Sequence, residues 1–246
     1  MAHRSSHMTP LECFVKDHSI LPTMIPFMTG REAVEVVKRL HGVEPTTEGV
    51  LRRIPIEFFR RLIDLSHRTT TLSENPAAYI VDEPKEIHII LLEIMLRNGL
   101  STRIMVQDHY QKVRYSLLHL AARTIKCVKR TTFSADYLTV LQLLMADTTA
   151  ITPPPNWAPM PVDILDSEGK TPLQECVFNG NPDTDHYFWR VQYLLQMGAN
   201  PNAVDGRNSL KTRPLYLATM PYGNRIPRSV RKIVNILEAA GARSTP

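Results

Sequence analysis

Apolar residues fall at helical spacing in five separate stretches of the chain. Ala33, Val36, Val37 and Leu40 occupy positions i, i+3, i+4 and i+7, and Ile87, Ile90, Leu91 and Ile94 repeat the pattern. Tyr137, Val140, Leu141 and Leu144 follow it, as do Val230, Ile233, Val234 and Leu237; Phe188, Val191, Leu194 and Leu195 form a close variant. This spacing puts one apolar stripe, and so one buried face, on each predicted helix. Gly42, Gly99, Gly198 and Gly241 stand after four of the stripes. A glycine there takes positive φ and closes the free carbonyls of the helix end. The third stripe is followed by Ala146-Asp147 instead and is the weakest copy.

A first helix is predicted ahead of each stripe. The openings are TPLECF from Thr9, IPIEFF from Ile54, SLLHLA from Ser116, TPLQEC from Thr171 and RPLYLA from Arg213. Four of them carry Pro second, and Ser or Thr leads three. Ser and Thr cap the first N–H groups of a helix, and Pro is tolerated in its first turn. In TPLQEC, Thr171 caps, Pro172 starts the turn, and Leu173, Cys176 and Val177 face the core. The chain therefore reads as five helix–loop–helix units. A pair this short cannot bury its stripe alone, whereas stacked neighbours can. The longest helix-poor stretch is 66–86, SHRTTTLSENPAAYIVDEPKE, which reads as a linker or insertion.

These residues resemble ankyrin repeats. SLLHLAA (116–122) is similar to the first-helix box Thr-Pro-Leu-His-x-Ala-Ala. YLLQMGANPNAVDGR (193–207) resembles the end of a second helix and the hairpin finger after it, and ILEAAGARS (236–244) another second-helix end. The family period is about 33 residues, yet the openings here lie 45, 62, 55 and 42 residues apart. Glu12, Glu57, Gln174 and Tyr216 stand where the box has His, which this chain keeps only at His119. The resemblance implies an all-α, ankyrin-like solenoid of about five divergent helix–loop–helix repeats with long inserted loops. Divergent helical repeats would fill 9–105 and ankyrin-like repeats 106–246, with MAHRSSHM (1–8) a tag remnant. The last two units also resemble the C-terminal ankyrin pair of Fem-type substrate receptors of cullin ubiquitin ligases, through SLLHLAA, GANPNAVDGRNSL and NILEAAGA; no cullin-box motif is evident in the N-terminal half.

Composition agrees with helices. Apolar residues reach 43%, enough for a sizeable core, while aromatics at 7% lean away from a β-sandwich. Cys13, Cys127 and Cys176 are far apart with no CxxC, which points to reduced core thiols and a cytoplasmic or nuclear setting. No run of about 18 apolar residues marks a membrane span.

The sequence holds no P-loop, GxGxxG, GxSxG or HExxH. Asp108, His119 and Cys127 could be imagined as a nucleophilic set, but in the resembled box His119 bonds locally to backbone and the cap hydroxyl. Asp183, Asp185 and His186 lie in NGNPDTDHY, whose residue types form turns more readily than metal corners. Glu83, Glu86 and Glu93 read as a solvated helix face. No catalytic residue, cofactor or metal ligand is expected, and the chain reads as non-enzymatic.

Charge adds the last expectation. The net charge is +5. Between Gly206 and Leu237 the charged residues are Arg207, Lys211, Arg213, Arg225, Arg228, Arg231 and Lys232, all basic. Further basic groups are Arg123, Lys126, Lys129 and Arg130, and Arg52, Arg53, Arg60, Arg61 and Arg68. Loops of successive repeats lie on one side of a solenoid, so such loops would add up to a basic stripe suited to an acidic partner. The Pro-rich TPPPNWAPMP (152–161) reads as an extended inter-repeat loop carrying Trp157. The reading is a protein-interaction scaffold for an acidic or extended partner. The expected contacts are Trp157, Asn200, Asn202, Asp205, Arg207, Tyr222, Arg225, Arg228 and Arg231. Nucleic-acid binding through the basic loops and a ubiquitin-ligase substrate-recognition role are the alternatives. Oligomeric state stays open.

Overall fold

A computed structural model describes residues 24–40, 46–108, 110, 112–123, 134–146, 159–179, 185–206, 210–220 and 226–243. Among them are eleven α-helices and one two-stranded sheet. The helices are α1 (Gly30–Lys38), α2 (Thr47–Arg53), α3 (Ile56–Arg68), α4 (Pro76–Asp82), α5 (Glu86–Arg97), α6 (Leu117–Arg123), α7 (Ser134–Met145), α8 (Pro172–Asn179), α9 (Asp185–Gln196), α10 (Pro214–Thr219) and α11 (Arg228–Ala239). Strands β1 (Met105–Gln107) and β2 (Arg114–Ser116) pair antiparallel, Val106 opposite Tyr115.

The short helices α4, α6, α8 and α10 pack side by side in one row, and α5, α7, α9 and α11 in a second row behind them. Helices α1 and α3 pack against the N-terminal end of the rows, on α4 and on each other. This is the predominantly helical solenoid of stacked helix pairs that the stripes predict. Its core runs through every unit: Phe58, Phe59, Leu62, Leu91, Leu92, Met95, Leu117, Leu118 and Leu141 are fully buried. Complete burial of each such side chain stabilises by about 1.5–3 kcal/mol. Leu173, Cys176 and Val177 face this core as expected.

Local sequence explains where helices start. Thr29 and Glu32 form a reciprocal capping box at α1. The Asn75 side chain accepts from Ala78 N at 2.9 Å and donates to the Ser66 and Thr69 carbonyls at 2.8 and 2.6 Å. It thereby caps α4 and ties it to the end of α3. The stretch 66–86 is thus no linker: it holds the end of α3 and all of α4, the first helix of the unit that α5 completes. The opening at Ile54 starts α3, with Pro55 as N-cap, and not the immediate partner of α5. Asn75-Pro76 has the cap-then-proline grammar of the other openings, but Ala77 stands where they carry Leu or Ile.

Gly99, Gly198 and Gly241 close their second helices at φ 97°, 89° and 88°. Gly42 lies outside the described residues. Ala146 takes the same role in the third unit at φ 50°, so the weakest copy in sequence keeps the backbone geometry with a residue that resists it.

Candidate functional site

The fingers between units are laced to one another. Gln107 N donates to Thr70 O at 2.6 Å, Arg114 N to the Ser167 hydroxyl at 2.9 Å, Ser167 N to Arg114 O at 3.1 Å, and Gly206 N to Glu168 O at 3.3 Å. Backbone from four successive connections therefore forms one continuous edge. The first-helix boxes brace it. The His119 side chain bonds the Ser116 hydroxyl through Nδ1 at 2.7 Å and the Lys170 carbonyl through Nε2 at 2.9 Å. A carbonyl only accepts, so Nε2 carries the proton and Nδ1 accepts from the serine. The contact to the cap hydroxyl is local, as expected; the contact to Lys170 reaches into the next finger, which was not. One unit on, Gln174 does the same work: Oε1 accepts from Thr171 N at 2.7 Å, and Nε2 donates to Ala203 O and Thr212 O at 3.2 and 2.8 Å.

Counted from Asn75, Ser116, Thr171 and Arg213 as the first position, the eighth position of each box lies about two helical turns on. It holds Asp82, Arg123, Phe178 and Met220. Phe178 is 53% exposed and carries the Lys170 ammonium of the neighbouring finger 5.6 Å from its ring centre; Met220 is 48% exposed. Asp82 lines a cleft of about 690 Å³ formed by Val34 and Lys38 of α1, Leu72 and Ser73, the end of α4 with Tyr79 and Glu83, and Asp108 and Tyr110 of the hairpin tip. Tyr110 is 98% exposed. Burial, followed by the carboxylates of Glu83, Glu35 and Asp82, pushes the Tyr79 hydroxyl up to about 12.

Arg123 behaves differently. It is only 4% exposed, with Nη2 3.4 Å from the Asp108 carboxylate and its guanidinium 4.5 Å from the Tyr115 ring centre. Glu175, at the fifth box position of the next unit, is buried nearby and hydrogen-bonded to Tyr115. Burial raises its carboxyl above the usual range, with the Lys170 and Arg123 cations pulling the other way. Arg123 is thus removed from the basic loop in which the sequence placed it.

The expected contacts separate. Asn200, Asn202 and Asp205 sit on the last described finger. Asn200 Oδ1 accepts from Asn202 N at 2.9 Å; the Asn202 side chain donates to Gly241 O and accepts from Arg243 N, fastening the finger to the end of α11. Asp205 N donates to the Thr212 hydroxyl at 3.0 Å. Arg228 and Arg231 are exposed on α11, in the second row and away from the finger edge. Trp157, Arg207, Tyr222 and Arg225 lie outside the described residues, as do Asp183 and Cys127. The N-terminal arginines are partly neutralised: Arg61 and Arg68 both pair with Asp64, and Arg52 with Glu48. Glu83 is not on a helix face with Glu86 and Glu93 but at the end of α4, inside the cleft. Sequence reasoning missed Tyr79, Asp82, Tyr110, Phe178 and Met220. Box alignment would have found all but Tyr110, once Asn75 was recognised as an opening.

No group of three or more His, Cys, Asp or Glu that could hold a metal occurs among the described residues, and no described helix is long and apolar enough to cross a membrane. Residues 168–206 match the ankyrin repeat family model. No curated protein matches the chain. Among solved structures the chain is similar to EF0377, an ankyrin repeat protein, at 16% identity and a TM-score of 0.48, over 92% of this chain and 99% of that one.

Proposed function

We propose that the chain, whose residues 168–206 match the ankyrin repeat family model, is a degenerate ankyrin-repeat protein and a non-catalytic protein-interaction module that reads an extended partner along its fingers and first helices. The observation that carries this is the exposure of Phe178 and Met220 at the same box position of adjacent units. Two large apolar side chains exposed at the same box position of adjacent units offer surface that a partner side chain can cover, and such contacts dominate binding energy. The exposed Arg228 and Arg231 of α11 lie in the second row, so in this reading an acidic stretch of the partner would have to reach past the fingers to meet them. Asn200 at the finger corner supplies a polar contact.

The test is capture of partners from the protein's own cells with three baits: wild type, Phe178→Asp with Met220→Asp, and Arg228→Glu with Arg231→Glu. Circular dichroism and the melting temperature confirm that each variant keeps its helices. The apolar-to-Asp bait is expected to lose a defined protein partner. The Arg-to-Glu bait is expected to hold it more weakly, with a smaller salt dependence. If the wild-type catch is dominated by nucleic acid that leaves at moderate salt, and only the Arg-to-Glu bait loses it, nucleic-acid binding replaces this reading.

A further inference from the structure

We propose that the cleft between α1, α4 and the β1–β2 hairpin tip receives a lysine or arginine side chain from an extended segment of the partner protein. This rests on the interaction-module reading and gives the partner a second chemical feature.

The lining has two parts. Val34 and Leu72 are apolar, and the rings of Tyr79 and Tyr110 stand beside them. Asp82, Glu83 and Asp108 bring three carboxylates, of which Asp108 also meets the buried Arg123 guanidinium from behind at 3.4 Å. The lining's own cation is Lys38, already paired with Glu35 at 2.5 Å. A chain of net charge +5 thus keeps a cleft of the opposite sign, which disfavours phosphate and favours a cation.

The cleft also shows how a cation sits in it. The Lys38 ammonium lies 5.3 Å from the Tyr79 ring centre, at cation–π distance. An aromatic face with carboxylates about it is the arrangement that holds a side-chain ammonium or guanidinium. Tyr79 is already aligned for this, since its hydroxyl donates to Glu83 at 3.4 Å. On the hairpin, Asp108 Oδ1 accepts from Tyr110 N at 2.8 Å, which holds that carboxylate at the rim. Tyr110 then stands at the mouth in water, a large aromatic of the type that anchors interfaces. The cleft volume of about 690 Å³ holds more than one side chain. The aliphatic stem of the incoming residue, or an apolar neighbour, would lie on Val34 and Leu72.

The experiment selects a phage-displayed library of random linear peptides on the full chain. It is run with wild type, with Asp82→Asn plus Glu83→Gln, and with Tyr110→Ala. The carboxamides keep the shape of the carboxylates, and Tyr110 is too exposed for its loss to disturb the fold. Selected peptides are resynthesised and their affinities measured at low and physiological salt. The proposal expects enrichment of Arg and Lys on wild type and about fivefold weaker binding to the carboxamide variant at low salt, with the gap shrinking as salt rises. Tyr110→Ala weakens the same peptides. Enrichment without a basic bias, a basic bias that persists unchanged on the carboxamide variant, or no enrichment on wild type each overturns it. None of these touches the module reading, which stands or falls on the Phe178 and Met220 bait.

Discussion

Gln174 is the clearest point at which a single side chain holds two repeats together, and its removal has a calculable cost. The residue is fully buried. Its amide closes the cap at Thr171 and donates across the interface to Ala203 O and Thr212 O. Gln174→Ala removes three hydrogen bonds, at about 1 kcal/mol each. Release of the glutamine's rotamer entropy offsets about 1.5 kcal/mol. Thr171 N, left buried without its acceptor, costs about 1–3 kcal/mol, which restores that amount, while the two carbonyls find other donors or water. The expected loss is about 3 kcal/mol, or roughly 6–12 °C in melting temperature for a chain of this length. Gln174→His is the control. His119 shows that an imidazole in this position can both meet the cap hydroxyl and reach the next finger. It should recover about half of the loss. The assay is urea unfolding followed by circular dichroism, with amide exchange at residues 203–212 reporting whether the last unit loosens first. A cost below about 1 kcal/mol for Ala, or equal costs for Ala and His, would refute the assignment of Gln174 as the inter-repeat brace.

Three further outcomes are expected. His119 and His88 are both held below their usual value, chiefly by burial. The unfolded chain therefore takes up their protons first, and stability present above pH of about 6.5 is lost as pH falls below it; His119→Gln should show a smaller drop in urea midpoint between pH 7.5 and 5.5, and an identical drop would exclude His119 as a source. Ala146→Gly relieves a left-handed alanine and should stabilise by about 0.5–1 kcal/mol in the same unfolding assay. Gly169→Ala should destabilise by more than 1 kcal/mol, because Gly169 sits at φ 81° and an added Cβ would lie 2.4 Å from Gly206 N in the neighbouring finger.

Much of the scaffold was legible because its grammar is local. The stripes at Ile87, Val140 and Val230, the capping threonine at 171 and the glycines at 99, 198 and 241 each act within one helix, so spacing alone reveals them. Helix α4 was hidden because Asn75-Pro76-Ala77 opens on a small residue, and its apolar Ile80 and Val81 are too few to make a stripe. The roles of Arg123, Glu83 and Asp108 depend on partners from different elements. Read from the sequence, Arg123 falls in a basic loop, Glu83 on a solvated face and Asp108 in a set with His119, whereas packing buries Arg123 against Tyr115 and brings Glu83 and Asp108 together at the cleft. Replacement of the box histidine by Gln174 was visible, but only the structure shows that the replacement preserves the bond across to the next finger.

The placement of the charged groups also divides the finger-facing side into unlike parts. Toward its N-terminal end stand the carboxylates and tyrosines of the cleft, and in the last two units the exposed Phe178 and Met220. Between them, at the positions where an ankyrin-like array would offer side chains to a partner, Arg123 and Glu175 are buried among Tyr115, Asp108 and Lys170. Two ionised groups taken out of water are costly unless well paired, and exchanging them for apolar side chains is often stabilising. Their presence therefore adds little to stability that leucine would not, and what they do supply is a fixed direction for Asp108 at the cleft rim. Arg123→Met combined with Glu175→Leu tests this: the unfolding free energy should stay within about 1 kcal/mol of wild type or rise, while basic peptides bind the cleft with altered affinity because Asp108 has lost the Arg123 guanidinium. A large loss of stability with unchanged peptide binding would show instead that the buried pair serves the fold alone.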